Sequence, residues 1–226
     1  EGRAILERIE ALYRGGSHEL DAWFGAVLDA LDDAGYGDAL IAFTSDHGEA
    51  FGEHRTIYHG DSVHEEEVHV ALILRGPGIA PGIYADAVSL VDLAPTFAHL
   101  ADIPPAPAWI GESLLAKNRS ARPIGTFSTN QTGLVPHKPF AIYVDEHKVI
   151  GLTNEGALED GIEEAYRMAS DPDELRSLAT EDWARAVFED WRAELDAWLD
   201  PRAKSPWLEL SPTELENLEA MGYFGK

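Results

Sequence analysis

The sequence predicts an α/β protein, with a mixed or parallel sheet flanked by helices and a smaller carboxyl-terminal α+β unit. Its opening residues have the pattern of helix, short glycine-containing loop and apolar strand, which is typical of that class. The 226 residues, 45% of them hydrophobic and six of them Trp, suffice for one sizeable core and a small second layer. A stiff proline-rich stretch at 103–107 predicts a boundary between residues 1–103 and residues 104–226.

Two helices are predicted at the amino-terminal end. Apolar residues recur at helical spacing between residues 5 and 13, and Gly15-Gly16 is expected to end that helix. Ser17 is a suitable N-cap for a second helix, whose apolar stripe continues to about Asp33. A glycine-containing loop then leads into the first strand.

Four strands are predicted from runs of apolar residues. Residues 39–43 are expected to be buried on both faces, as in a parallel sheet covered by helices, and residues 70–74 to form another buried strand. Residues 122–127 and 140–150 predict two strands beyond the proline-rich stretch. The sheet of the first unit should therefore carry the core.

Two further helices are predicted. Asp92 and Thr96 are interpreted as helix-start residues for a helix over residues 93–100, because their oxygens can satisfy free backbone donors there. Residues 175–199 predict a long helical stretch. Its large apolar side chains share one side, which is more typical of a core than of a sugar-binding platform: Trp183, Val187, Trp191, Leu195 and Trp198.

The charge balance and the cysteine count exclude several kinds of partner and site. Seventeen basic and 41 acidic residues give a net charge of -24, which argues against nucleic acid or an anionic membrane surface as the main partner. Without cysteine, neither a disulfide framework nor a thiolate metal cage can form. No apolar run reaches transmembrane length, and no signal-peptide pattern precedes the first helix, so we expect the chain to start in mid-domain.

Asp46 and His47 follow the first strand directly and form the strongest candidate site. In α/β sheets ligands collect outside the carboxyl ends of the strands. A carboxylate oxygen and an imidazole nitrogen that are adjacent there can both reach one divalent cation if the backbone turns sharply, and Gly48 would supply that turn. The alternative is that Asp46 caps a following helix and His47 is a surface imidazole.

The loop that follows contains five of the nine histidines, between residues 47 and 69. A loop of that length between two core strands is usually functional. His59 precedes Gly60, so the backbone can approach a ligand closely while the imidazole donates to an oxyanion or binds a metal. We expect His59 to be the catalytic member of the site.

The other polar residues of this loop have structural interpretations. Glu53 and His54 are expected to pin the loop by hydrogen bonding, and His64 is a weaker candidate for the site than His59. The run Glu65–Glu67 is typical of the exposed start of a helical turn, and His69 of a histidine packed in a strand. None of these residues is assigned to the metal.

A series of segments resembles the carboxyl-terminal half of the sulfatase family, in the alkaline phosphatase superfamily. The resemblance extends over nearly the whole chain and follows the family's order and spacing. The segments are Thr44–Glu49, Phe51–His54, Arg75–Gly78, Val88–Phe97, Ile110–Leu114, Ser170–Ala179 (with Ser177 where Asn is usual) and Leu215–Gly225.

The resemblance implies an alkaline-phosphatase-like fold and a metal-dependent sulfate ester hydrolase. Asp46 and His47 would be two ligands of one divalent metal, and His59 would contact the bound sulfate or phosphate, where many sulfatases have Lys. Calcium is the expected metal because such sites are rich in oxygen, whereas the added imidazole also suits manganese or zinc. Many relatives are exported, which suggests a periplasmic or extracellular location without establishing it.

The nucleophile of the family is not found in these residues. Relatives carry a Cys or Ser in a C/S-x-P-x-R pattern that matures to formylglycine, together with a further metal-binding Asp pair, near their amino terminus. Ser205-Pro206 and Ser211-Pro212 have the wrong spacing for that pattern. We therefore expect residues 1–226 to be a fragment whose missing amino-terminal half bears the formylglycine, and to be inactive alone.

Three hypotheses for the function follow. The first is a fragment of a metal-dependent sulfatase acting on a sulfate ester. The second is a phosphodiesterase, phosphonate hydrolase or phosphoethanolamine transferase of the same superfamily, suggested by His59 in place of Lys. The third is a non-catalytic binding module that retains the fold. Which ester is bound, the identity of the metal and the oligomeric state do not follow from the sequence.

Overall fold

Two sheets, a short ribbon and four helices make up the described part of the molecule. The computed structural model describes residues 2–107, 109–119, 122–128, 138–154 and 157–199. The helices are α1 Gly2–Asp33, α2 Glu65–Val68, α3 Leu93–Leu100 and α4 Asp182–Leu199. The strands are β1 Ile41–Thr44, β2 Ala50–Phe51, β3 Ile57–Tyr58, β4 Leu72–Arg75, β5 Ile124–Phe127, β6 Lys138–Val144, β7 His147–Asn154, β8 Ala157–Leu158 and β9 Glu164–Arg167.

Helix α1 is one continuous helix, so the predicted break at Gly15-Gly16 is wrong. Each glycine lowers helix stability by about 1 kcal/mol relative to alanine but causes no clash. The Ser17 hydroxyl donates to the carbonyl of Tyr13 at 3.1 Å across the glycine pair, so Ser17 lies within the helix and does not cap a new one. None of the side chains of α1 is fully buried, and its Tyr13 ring packs edge-on against Phe51.

Strands β1 and β4 form an antiparallel pair that runs from Ile41 opposite Arg75 to Thr44 opposite Leu72. Both predicted strands exist, shifted by up to two residues. The predicted burial on both faces is wrong, because every residue of β1 is only half-buried and β4 alternates between half-buried and exposed. Within the described ranges β1 pairs with β4 alone, so its other edge carries no strand.

The second sheet is antiparallel, with strand order β5-β6-β7-β8 and with β9 also paired to β7. The single strand predicted for residues 140–150 is instead a hairpin, since β6 and β7 pair from Lys138 opposite Thr153 to Val144 opposite His147. A two-residue turn at Asp145 and Glu146 connects them, and Asp145 has the positive φ of 52° that such tight hairpins require.

Helix α4 covers one face of the second sheet. Phe188, Leu195 and Ala184 are fully buried in one cluster with Phe140 and other sheet residues. The partly buried Trp183, Val187 and Trp191 pack against the same cluster, which confirms their interpretation as core residues. The helix begins at Asp182, seven residues later than predicted, and the Trp198 side chain and the segment Leu215–Gly225 lie outside the described residues.

Helix α3 has the predicted bounds, but the expectation for Asp92 is wrong, because its side chain makes no capping hydrogen bond to α3 and belongs instead to the 3-10 turn Leu90–Asp92 before it. The Asp92 carboxylate forms a reciprocal capping box with Ser89. It is fully buried and also forms ion pairs with Arg119 and Arg122. The expectation for Thr96 is wrong, because its hydroxyl donates to the Asp92 carbonyl at 2.6 Å and accepts from the backbone N–H of a distant loop.

None of the described helices combines the length and the apolar character that a membrane-spanning helix requires.

Candidate active site

The turn after β1 presents Asp46 and His47 to solvent. Asp46 accepts the backbone N–H of His47 on Oδ1 at 3.0 Å, and its side chain is 87% exposed. Nδ1 of His47 lies 2.8 Å from the carbonyl oxygen of Gly48. Because a carbonyl oxygen only accepts, Nδ1 carries the proton and Nε2 keeps its lone pair. That Nε2 lies 3.7 Å from Oδ2 of Asp46, close enough for both atoms to reach one cation.

Gly48 is required because the backbone packs closely at this turn. A Cβ atom at position 48 would lie 2.2 Å from the backbone oxygen of Glu66. The Gly48 N–H donates to the carbonyl of Glu67 at 2.7 Å. The glycine therefore allows the segment after β1 to lie directly against α2.

His59 lies beside the Asp46–His47 pair, so the structure brings the predicted site residues together. Its ring stacks on that of His47 with the centroids 4.0 Å apart. Nδ1 of His59 is 3.1 Å from Oε2 of Glu49. The carboxylate thus fixes one ring nitrogen, and Nε2 remains for a ligand. All three predicted residues line one broad, open cleft.

Glu49 is a site residue that the sequence analysis did not single out. Its side chain is only 17% exposed and faces the imidazole of His59. Among the described residues its second oxygen, Oε1, is buried without a hydrogen-bond partner. Glu49 is the last residue of the segment Thr44–Glu49, and its position in that segment is the sequence feature that could have pointed to it.

His54 and His64 form a second histidine pair, which lies between the loop and the second sheet. Their rings are nearly parallel, with the centroids 3.9 Å apart and 4° between the planes. Ligand atoms of His54, His64 and Glu66 lie within 4.8 Å of one another, a spacing compatible with a metal. However, ring lone pairs lie in the ring plane, so one ion cannot lie in the planes of two stacked rings.

Hydrogen bonds account for all four ring nitrogens of this second pair. His54 contacts Glu66 at 2.9 Å and the carbonyl of Glu174 at 3.1 Å. His64 contacts the Ser62 hydroxyl at 2.7 Å and Glu164 at 3.1 Å. The prediction that His54 pins the loop by hydrogen bonding is therefore confirmed.

Hydrogen bonds around this second pair shift the pKa values of His54 and of Glu164, the partner of His64. Burial acts to lower the pKa of His54, but the hydrogen bonds to Glu66 and to the Glu174 carbonyl outweigh it, and the pKa is raised. The hydrogen bond from His64, aided by one from Tyr166, lowers the pKa of Glu164 to about 2. Both groups are thus favoured in their charged forms by partners on other elements.

The run Glu65–Glu67 is not an exposed helical turn, which corrects the expectation from sequence. Glu67 is 3% exposed, and the side chains of Glu65 and Glu66 are 22% and 12% exposed. The reason is that α2 is packed between the turn after β1 and the second sheet. His69 is also not packed as expected, since its side chain is 77% exposed.

A buried lysine connects α2 to the second sheet. Lys148 on β7 has no solvent exposure, and its Nζ lies 2.6 Å from Glu174 and 3.1 Å from Glu65. The Tyr143 hydroxyl donates to the same Glu65 carboxylate at 2.5 Å, and burial with that negative charge raises the pKa of Tyr143. The ammonium group offsets two carboxylates, which makes the burial of all three tolerable.

The donor set at Asp46 and His47 fits a divalent cation, whereas no residue of the chain fits a formylglycine. An exposed carboxylate and an imidazole with a free Nε2 are suitable ligands for calcium, manganese or zinc. Formylglycine requires a Cys or Ser in the C/S-x-P-x-R pattern, and the 226 residues contain neither a Cys nor that pattern. A formylglycine could thus not form from these residues.

A mixed helix-and-sheet fold with such a pair at a strand end is typical of α/β hydrolases that use a metal. Comparison with known proteins specifies the family, since the Sulfatase family model matches residues 7–103. The chain belongs to the sulfatase family, whose fold is the alkaline-phosphatase-like α/β fold predicted from the sequence.

Curated relatives agree with this assignment. Arylsulfatase K from Gallus gallus is 34% identical over 189 residues, which are 77% of this chain and 34% of the relative. The chain therefore spans about a third of the length of the curated relatives that it matches.

Solved structures show the same fold. A candidate sulfatase from Bacteroides thetaiotaomicron superposes with a TM-score of 0.63 and 25% identity, covering 77% of this chain and 39% of that one. A second structure, solved in complex with its substrate D-glucosamine-2-N,6-O-disulfate, gives a TM-score of 0.52 and 25% identity over 77% of this chain and 36% of that one.

Proposed function

We propose that this chain forms the metal-binding side of the active site of an enzyme that hydrolyses sulfate esters. The observation that carries the proposal is the convergence of Asp46, His47 and His59 on one cleft at the end of β1. Membership of the sulfatase family and the arylsulfatase K relatives support the reaction class.

Asp46 and His47 would hold one divalent cation with a carboxylate oxygen and an imidazole nitrogen. The cation, when bound, would draw negative charge from the non-bridging oxygens of the ester and stabilise the charge that develops in the transition state. The proton on Nδ1 of His47, held by the Gly48 carbonyl, keeps the lone pair of Nε2 directed away from the backbone. We favour calcium, with manganese and zinc as alternatives.

His59 would contact the sulfate group. Glu49 accepts from Nδ1, so the ring presents Nε2 to the cleft. When both ring nitrogens carry protons, Nε2 can donate a hydrogen bond to the transferring group or to the leaving oxygen. The stacking of His59 on His47 holds this ring beside one of the proposed metal ligands. A hydrogen-bond donor and a cation that contact the same sulfate group would together stabilise the negative charge on its oxygens.

The attacking nucleophile would come from outside the 226 residues. They contain no cysteine, and the proposed site supplies ligands and a hydrogen-bond donor without an activated hydroxyl or thiol. On this proposal residues 1–226 alone bind metal without turning over substrate. Sulfated sugars are the first substrates to test, since one of the similar structures holds a sulfated glucosamine.

The proposal is tested by replacing the first ligand. In the protein expressed with its complete reading frame, Asp46→Ala should lose stoichiometric metal and at least about a hundredfold in kcat for sulfate esters, because an oxyanion-stabilising contribution of that size disappears. The measurements are metal content by mass spectrometry and sulfate release. Asp21→Ala, which removes an exposed carboxylate on α1, is the matched control and should change neither. Retention of metal and activity by Asp46→Ala would rule the proposal out.

A phosphate ester is the second candidate substrate, and one observation favours it. His59 stands where many sulfatases have Lys, and an imidazole serves equally well beside a phosphoryl group. Assays of the same preparation with a sulfate ester and with the matching phosphodiester separate the two candidates. If neither ester is turned over while metal still binds, the non-catalytic binding module is the remaining hypothesis.

A further inference from the structure

Glu67 contacts both of the turns that carry the proposed site residues. Its backbone carbonyl accepts the N–H of Gly48 at 2.7 Å, and Gly48 directly follows His47. Its carboxylate Oε2 accepts the N–H of Gly60 at 2.6 Å, and Gly60 directly follows His59. One residue thus bridges two backbone segments that are separated by more than ten positions in the sequence.

The residue that forms this bridge is itself held in place. Glu67 is 3% exposed, and the preceding residues of α2 are fixed from the side of the second sheet. The backbone N–H of Glu65 donates to Oε2 of Glu174 at 2.7 Å, while its carboxylate meets the buried ammonium of Lys148 at 3.1 Å. Helix α2 cannot move toward or away from the turns without breaking these contacts.

We propose that Glu67 is a positioning residue that sets the distance between His59 and the Asp46–His47 pair. It acts through the backbone at Gly48 and Gly60 and touches neither metal nor substrate. The function depends on the reach of the side chain, because the acceptor atom must meet the Gly60 N–H at 2.6 Å. This inference rests on the proposed function, since it concerns the geometry of the same site.

Two substitutions separate the reach of the side chain from its charge. Glu67→Gln keeps the length and an acceptor oxygen but removes the charge, so calcium affinity and kcat should stay within about twofold of the unchanged protein. Glu67→Asp keeps the charge but is shorter by one carbon–carbon bond, about 1.5 Å, and loses the Gly60 contact. We expect Glu67→Asp to weaken calcium binding roughly tenfold, the usual effect of losing an outer-shell contact, and to lower kcat more than it raises KM.

The experiment is a calcium titration followed by thermal unfolding and steady-state kinetics on the intact protein. Glu163→Gln, at an exposed position just before β9, is the control for removing a surface charge and should leave all readouts unchanged. If Glu67→Gln is as impaired as Glu67→Asp, charge and not reach is what matters, and the inference is wrong. It is equally wrong if Glu67→Asp folds and binds calcium with unchanged affinity.

Asp46→Ala in the same titration distinguishes the proposed function from the proposed positioning role of Glu67. Loss of calcium binding in Asp46→Ala with unchanged binding in Glu67→Asp would overturn the positioning role alone. Unchanged calcium binding in Asp46→Ala would overturn the proposed function itself. Loss of calcium binding in Asp46→Ala, with roughly tenfold weaker binding in Glu67→Asp and Glu67→Gln unaffected, is the result expected if both hold.

Discussion

The close approach of backbone segments around the proposed site limits which side chains can stand at single positions there. Gly48 lies against the backbone of α2 with no room for a side chain, and Glu67 reaches from α2 to the turn that carries His59. Glu49 holds one nitrogen of that histidine. The side chains that would do the chemistry are therefore oriented by neighbours that make no contact with substrate.

Gly48→Ala tests the close approach. The new methyl group would overlap the Glu66 carbonyl, 2.2 Å from the ideal Cβ position, so the turn must move away from α2. We expect a loss of about 2 to 4 kcal/mol in the free energy of unfolding, together with weaker metal binding. Urea unfolding and a calcium titration measure the two effects.

Gly82→Ala is the matched control, because a Cβ at position 82 meets no atom within 4 Å. Its free energy of unfolding should change by less than about 0.5 kcal/mol. Equal stability of the two alanine variants would show that the turn does not lie against α2.

At the scale of elements, the helices differ in what stabilises them. Helix α1 has no fully buried residue and depends largely on its intrinsic helix propensity and on ion pairs one turn apart, such as that of Arg14 with Glu10. Helix α2 is a single turn that would not be stable alone and is held by buried contacts at its three glutamates. Propensity therefore matters at α1 and hardly at α2.

Gly15→Ala should consequently stabilise the protein. The position is helical, and an added Cβ meets no atom within 4 Å, so the gain is the propensity difference of about 0.5 to 1 kcal/mol. Circular dichroism during thermal unfolding measures it. Gly35→Ala is the contrasting variant, since Gly35 has a φ of 83° that disfavours alanine by about 1 kcal/mol. A destabilised Gly15→Ala would mean that the helix is interrupted there after all.

At the scale of the whole molecule, the loop between β1 and β4 is packed against the second sheet. Val63 from this loop shares a buried cluster with Ala141, Ile150 and Tyr166. The ion pairs of Lys148 with Glu65 and Glu174 lie beside that cluster. The carboxyl-terminal sheet thereby helps to hold the proposed site in place. The domain boundary between residues 103 and 104 stays a prediction.

Lys148→Met tests this support. Removing the ammonium leaves the carboxylates of Glu65 and Glu174 without their lysine partner, and we expect a loss of about 3 to 5 kcal/mol in the free energy of unfolding by urea titration. Adding Glu174→Gln should restore part of that loss, because it removes one of the uncompensated charges. Lys117→Met, at an exposed lysine, is the control. If Lys148→Met is as stable as the control, the ammonium does not hold the two parts together.

Sequence reasoning was most successful where the pattern is local. The segment from Thr44 to Glu49, the strand before it, the bounds of α3 and the apolar side of α4 all follow from neighbouring residues. It failed at Gly15-Gly16, at the hairpin turn near Asp145 and at the exposed His69. In each of these cases the local signal was real but too weak to decide the outcome.

The sequence by itself determined the family, the α/β class and the adjacent Asp46–His47 pair at a strand end, because these depend on residue order alone. Only the tertiary structure decided that His59 stacks on His47, that Glu49 holds it and that Glu67 joins the two turns. The run Glu65–Glu67 illustrates the physical reason. Three consecutive acidic residues read as a solvated surface until folding brings the ammonium group of Lys148, 83 positions away, to Glu65 and the backbone N–H of Gly60 to Glu67.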